Sequence, residues 1–541
     1  MRRLPLYLAF SLGASLAVSH TASAQGAPAP AAAPAGQSCD PYQNYSCLDS
    51  YLGEGVFDRL ANYYKLEWEQ AGPPSDPNAP ASRRDGWPVT PETISPMPFT
   101  EWPYGGTSSL GVTRPASVDS PLMVSIANTP AGKWMADAHI QAYGWVDVGG
   151  NISTSNVSAG NAPAAYLYNP NTITLDQAVL YLERLPDTVQ SDHIDWGFRL
   201  SGIYGTNYRY TTAYGLWSYQ LLNHNHEYGY DAPMVYGEVF IPQVMQGLMI
   251  RFGRYISLPD IEAQLAPNNY MYTHSMTYTF DNYTNTGIQS TLAVTKQLFL
   301  QLGVSVGTEA MPWHVDEHIA NPYPNQIYPG TTFAKDPGAK PSLTACARYQ
   351  TMNGKDDINV CANGINKGSY GYNNLQWYGL TYYHKFNDKW HVAYEAYYEH
   401  QNNVPNVSNP TVQTINANGG TPFTAPASGI LANAPFEAQC GNSTVLTCTA
   451  GAYGTVAYLN YTPDARNNIS FRPEFFWDKQ GQRTGFATRY TTWGLGWQHW
   501  LSPQIELRPE VTYYKALNGT PFDGGAKDFE TIVSGDVIVH F

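Results

Sequence analysis

Two short stretches carry residue types that suit metal-ligand chemistry. WHVDEH offers His314, Asp316, Glu317 and His318, and NHNHEY offers His224, His226 and Glu227. Imidazoles and carboxylates this close can hold a divalent ion. Both stretches lie in polar connections, where such groups are common simply as solvated side chains, and no metal or cofactor is expected. GVSVG, Gly303 to Gly307, matches the G-x-S-x-G pattern of serine hydrolases. That nucleophile needs a sharp turn between strand and helix, whereas Ser305 sits inside the alternating run QLFLQLGVSVG. No supporting histidine and acid accompany it, so no catalytic residue and no enzyme activity are expected.

The charges that recur most regularly do so with a period of two. IELRPEVTYY sets Glu506, Arg508 and Glu510 against Leu507 and Val511, and ISFRPEFFW sets Arg472 and Glu474 against Phe471 and Phe475. HIDWGFRLSGIY does the same with Asp195 and Arg199 against Trp196 and Phe198. An extended segment with one polar and one apolar file is a strand between two different solvents. After the first residues no run of about 18 apolar residues occurs, so spanning helices are excluded, while alternating segments of about ten residues are what a membrane barrel shows. Hydrocarbon offers no hydrogen bonds, so a sheet crosses it only when closed on itself.

The fold expected is therefore all-β, a transmembrane antiparallel β-barrel with long extracellular loops. Fourteen strands are read, at about 137-149, 175-185, 193-205, 232-242, 246-257, 284-296, 297-308, 371-385, 389-401, 450-462, 467-478, 487-501, 504-516 and 527-541. Sixteen is the alternative, with the aromatic stretch Tyr208 to Tyr219 as a further hairpin arm. The stretch YMYTHSMTYTF, Tyr270 to Phe280, looks strand-like but would break the even count, so Ser257 to Tyr283 is placed in one connection folded inward to narrow the lumen. The pore-lining candidates are Asp195, Arg199, Arg251, Glu395, Arg472, Glu474, Glu506, Arg508 and Glu510. Opposed files of arginine and glutamate across a lumen would orient dipolar solutes. Pro473 and Pro509 each remove a ladder donor, and a bulge is expected at each. Trp377, Trp390, Tyr394, Tyr398, Trp493, Trp497 and Trp500 read as an interfacial girdle, with sugar stacking as the alternative.

The chain starts with Arg2 and Arg3, an apolar run from Leu4 to Val18, and Ala22-Ser23-Ala24. Residues 1-24 read as a cleavable secretory signal. Residues 25-133 form an Ala/Pro-rich linker and a periplasmic lead-in or plug, with a short amphipathic helix between Leu48 and Tyr64; residues 134-541 form the barrel. A formal charge of -14 makes nucleic-acid binding a poor fit. The six cysteines fall into local pairs, Cys39 with Cys47, Cys346 with Cys361 and Cys440 with Cys448. Three loop-pinning disulfides are the economical reading in an oxidising compartment, on proximity alone. GDVIVHF ends on Phe541 and resembles the terminal strand of bacterial outer-membrane barrels, which the barrel-assembly machinery reads.

WGFRLSGIYGTNYRYTTA (Trp196 to Ala213), GLMIRFGRYISLPDIE (Gly247 to Glu262) and HSMTYTFDNYTNTGI (His274 to Ile288) resemble the porin-2, OmpL-like family of β-barrel porins. The resemblance covers about residues 137 to 541. It implies an outer-membrane barrel that passes small solutes, and it supplies no catalytic residue. Expected partners are outer-membrane lipids, small hydrophilic solutes and the assembly machinery, with a homo-oligomer compatible, in a bacterial outer membrane. Two other readings stay open: a structural or adhesive barrel whose lumen is plugged, and a soluble secreted β protein that binds carbohydrate.

Overall fold

The computed structural model describes residues 51–68, 120–164, 166–188, 190–222, 224, 226–256, 260–314, 340–370, 374–417, 437–464, 466–502 and 504–541. The signal, the linker, Cys39, Cys47, Asp316, Glu317 and His318 lie outside them.

Period-two alternation becomes sixteen antiparallel staves. In chain order these are β1 Gln141–Ser153, β2 Ile173–Arg184, β3 Asp195–Gly205, β4 (Gly229–Asp231 with Val235–Ile241), β5 Leu248–Ile256, β6 Thr284–Ala293, β7 Leu298–Thr308 and β8 Ser342–Gln350. They continue as β9 Asp356–Ile365, β10 Gln376–Lys385, β11 Trp390–Pro405, β12 Thr447–Asp464, β13 Asn467–Asp478, β14 Thr488–Ser502, β15 (Ile505–Leu507 with Glu510–Ala516) and β16 Phe529–His540. Each pairs with its neighbours in sequence, and β16 returns to β1 in a ladder from Trp145 opposite His540 to Ser153 opposite Ile532. The sheet therefore has no free edge, as a spanning sheet requires. Short turns such as 294–297, 351–355 and 386–389 lie at one end, and long connections such as 206–228, 257–283 and 406–446 at the other, the asymmetry of outer-membrane barrels. Among the described residues no helix is long and apolar enough to cross a membrane.

The count of fourteen is corrected to sixteen. The missing hairpin is β8 and β9, inside the segment read as the long loop 309–370; β8 directs Ser342, Thr344, Cys346, Arg348 and Gln350 inward and Leu343, Ala345, Ala347 and Tyr349 outward. Alanine has little strand preference, so the outward file lacked the usual signal. The stretch Tyr208 to Tyr219 is not the extra arm: Thr206–Tyr210 forms a buried 3-10 helix. Adding a hairpin changes the count by two, which is why parity still read correctly.

Cys346 and Cys361 are bonded as direct cross-strand partners on β8 and β9, not within a loop. Cys440 is bonded to Cys448 at the start of β12. The expected bulges are absent at both prolines. Pairing resumes in the same register on either side of Pro509, which splits β15, while β13 runs unbroken through Pro473 and loses only the adjacent rungs to β12. Omitting rungs accommodates the lost donor without inserting a residue.

The outer face is apolar, with Trp196, Leu302, Phe471, Phe475 and Val511 exposed. Trp390, Tyr394, Trp493 and Trp497 join them there. Trp377 does not: it lies on the inward file of β10 with Thr381 and Tyr383 and is buried against Tyr397. The described part of the lead-in is a helix α1, Val56–Trp68, packed on α2, Pro121–Ile126, through Leu52, Tyr63 and Val124. Arg59 gives its Nε proton to the Val124 carbonyl at 3.0 Å, and the Tyr64 hydroxyl donates to the His540 carbonyl, which docks the pair at the seam between first and last staves.

Candidate functional site: the lumen and its inward connection

After β5 the chain turns into the barrel, and residues 260–283 are all buried there. Local chemistry shapes this segment. Ser275 caps a short helix α3, Met276–Phe280, by accepting the Tyr278 N–H at 3.0 Å. Glu262 accepts the Ser275 N–H at 3.1 Å, and the Asn269 side chain accepts the Ala263 N–H at 2.9 Å, closing the segment on itself. The wall makes room with glycine: a side chain at Gly149 would meet the Tyr272 hydroxyl at 2.0 Å, and at Gly496 the Met271 side chain at 2.7 Å. Only a residue without a Cβ allows that approach.

The wall then grips the segment with charge. Arg472 donates to the Thr273 carbonyl and, at 2.8 Å, to its hydroxyl, while Glu510 accepts the Thr273 N–H at 3.1 Å. Glu474 accepts the Thr277 N–H at 2.6 Å and Glu395 the Ile261 N–H at 3.0 Å. Arg508 donates to the carbonyls of Ala266 and, at 3.1 Å, Asn269, and is held in turn by Asp536. Five of the nine pore-lining candidates thus bind backbone of one connection. Bonds to charged groups contribute about 1.5 to 3 kcal/mol each, more than neutral ones.

The other four also face inward. Arg199 pairs with Glu183 at 2.7 Å and Arg251 with Glu238 at 3.0 Å, both across adjacent staves. Asp195 pairs with Arg184 at 2.9 Å, and Glu506 lies 3.5 Å from Arg508. Each of these four therefore has an oppositely charged neighbour, which favours burial of the pair. Sequence reasoning missed several partners. Arg254, holding Asp231 at 3.0 Å, sits where β5 stops alternating. Arg348, holding Asp357 at 2.6 Å, sits on the overlooked hairpin. Asp536 was legible, since it lies in the inward file of the terminal strand.

His274 Nε2 lies 2.7 Å from the Ala263 carbonyl, stacked on Tyr166, and burial pushes its pKa down to about 3, so the ring is neutral. Ser305 is an inward strand residue accepting an Asn285 side-chain N–H at 3.0 Å. His224 and His226 are exposed and stack on each other, and Glu227 accepts from Asn169 at 3.1 Å.

Residues 139–541 match the model of the beta-barrel porin-2, OmpL-like family. The chain belongs to that family. As an OmpL-like porin-2 protein it is an outer-membrane porin, which sets aside the soluble secreted reading. Among solved structures, an anion-selective porin from Comamonas acidovorans is 8% identical, with a TM-score of 0.45 over 74% of this chain and 99% of that one. The outer membrane channel DcaP of Acinetobacter baumannii is 9% identical, with a TM-score of 0.43 over 74% of this chain and 97% of that one. OprB of Pseudomonas putida at low pH is 9% identical, with a TM-score of 0.37 over 77% and 97%. No curated protein matches the chain by sequence.

Proposed function

We propose that this porin lets small hydrophilic solutes diffuse passively through a water-filled lumen in a bacterial outer membrane. The observation that supports the reading is the inward connection: residues 260–283 are buried inside the barrel and held by wall charges on both sides. A constriction fixed in this way sorts solutes by size and charge without a moving part. The nine inward charged residues, Asp195 to Glu510, are the pore lining in this reading.

The division of the chain follows the same proposal. Residues 1-24 direct export, residues 25-133 form the lead-in, and residues 134-541 form the barrel, with Phe541 as the residue the assembly machinery reads. Stepwise conductance of the purified, folded protein in a planar bilayer tests the reading. Unit steps that scale with salt support it. Silence from folded protein, or steps appearing only once residues 37-133 are deleted, would replace it with a plugged barrel.

A further inference from the structure

Asp260 and Asp281 stand at the two ends of the inward segment, and Glu395 faces them from β11. One carboxylate oxygen from each lies within 4.8 Å of the others. Around a calcium ion, oxygen ligands sit at about 2.4 Å, so any two are separated by at most about 4.8 Å. The three separations are compatible with a single coordination sphere.

A second observation concerns what these oxygens lack. Glu395 is fully buried; its Oε2 accepts the Ile261 N–H at 3.0 Å, while Oε1 is buried with no donor. Asp260 Oδ1 and Asp281 Oδ2 are likewise buried and accept nothing. Elsewhere on this wall Arg508 meets Asp536 and Arg472 meets Glu262. Around these three, Arg483 lies 3.3 Å from Glu399 and gives its Nε proton to the Phe280 carbonyl at 2.7 Å. Burial and the neighbouring carboxylates push both aspartates well above the usual range, as expected where like charges crowd without a counterion. Two arrangements can relieve such a cluster, a shared proton or a bound cation, and the convergence of three oxygens favours the cation.

We propose that Asp260, Asp281 and Glu395 form a calcium site that clasps both ends of the inward segment to the barrel wall. Hard oxygen donors supplied by the protein suit calcium; magnesium keeps most of its water and demands a tighter octahedron. The site does not depend on which solutes the lumen passes.

The test uses the full chain in detergent, stripped with chelator and titrated calorimetrically with calcium at neutral pH. The expected result is one calcium per chain, weaker magnesium binding, and at least about tenfold loss of calcium affinity in D281N and in E395Q. D192N, which alters an exposed acid elsewhere, should leave binding unchanged. Absence of binding at millimolar calcium, or binding that both variants retain (an adventitious ion only), would overturn the proposal. Should a variant fail to assemble, hydrogen exchange of the wild-type chain decides: calcium should slow exchange in residues 260–283, and identical exchange with chelator would overturn the proposal equally.

Discussion

Glu474, on β13, accepts both the backbone N–H of Thr277, at 2.6 Å, and its hydroxyl, at 2.8 Å. A strand that crosses the membrane thus holds the first turn of a helix inside the lumen. Replacing Glu474 with alanine removes the one oxygen that accepts both bonds and leaves the N–H without that partner. The expected loss is about 1.5 to 3 kcal/mol of docking. Single-channel records of E474A should show larger or noisier steps than the native protein; an unchanged trace would mean the segment does not depend on this anchor.

Gly149 presents the converse case, in which space rather than attraction holds the segment. Valine there would collide with Tyr272, whose hydroxyl donates to Asp176 at 2.6 Å. Gly149 is paired in the ladders with both β16 and β2, so the Tyr272 side chain should yield before the wall does. G149V should therefore assemble normally, shown by its heat-shifted gel mobility, and conduct more than the native protein.

Arg508 neutralises Asp536 and lies beside Glu506 while holding two carbonyls of the connection. R508M leaves buried carboxylates without their cation, and removal of one partner from such a group costs about 3 to 5 kcal/mol. Urea unfolding from lipid vesicles, followed by tryptophan fluorescence, should show that loss. The double variant R508M/D536L should recover part of it, because the stranded charge is then gone.

His274 gives the connection a dependence on acid. Its imidazole titrates near 6.5 when free and at about 3 in place, among Ala263, Tyr166, Tyr278 and the fields of Arg472 and Arg508. A lowered folded pKa means the undocked form binds more protons, so docking is fully favoured above about pH 6.5 and weakens as pH falls toward about 3. Channel noise should rise over that window, and H274Q should flatten the rise.

Leu302 tests which side of the wall meets lipid. It is 66% exposed on the outward file of β7, next to the inward Gln301 and Gly303. L302R should cost about 2 to 4 kcal/mol if it lies near the bilayer midplane. L302A, which leaves the outward file apolar, should cost far less in the same vesicle assay.

What could be read from residues alone was whatever depends on neighbours along one strand. The opposed files of Arg472 and Glu474 against Phe471 and Phe475 were plain, because two solvents select polarity residue by residue. The inward placement of Tyr270 to Phe280 followed from counting, since an odd stave would reverse the ends. The hairpin β8 and β9 was hidden because alanine carries no marker of a lipid face. Partners were hidden for a different reason. Arg472 finds Thr273, and Glu395 finds the aspartates, only after closure brings distant segments across the lumen, and no spacing in the chain encodes that meeting.

Gly144 and Phe541 exchange both backbone bonds, N–H to carbonyl, at 2.8 Å each way, where the ends of the sheet meet. No contiguous fragment of the barrel can therefore be self-sufficient: any stretch short of the whole ring exposes two raw ribbons of donors and acceptors, ready to seize another chain. The ring is all or nothing, and its most distant contact is also the one that makes every other contact safe.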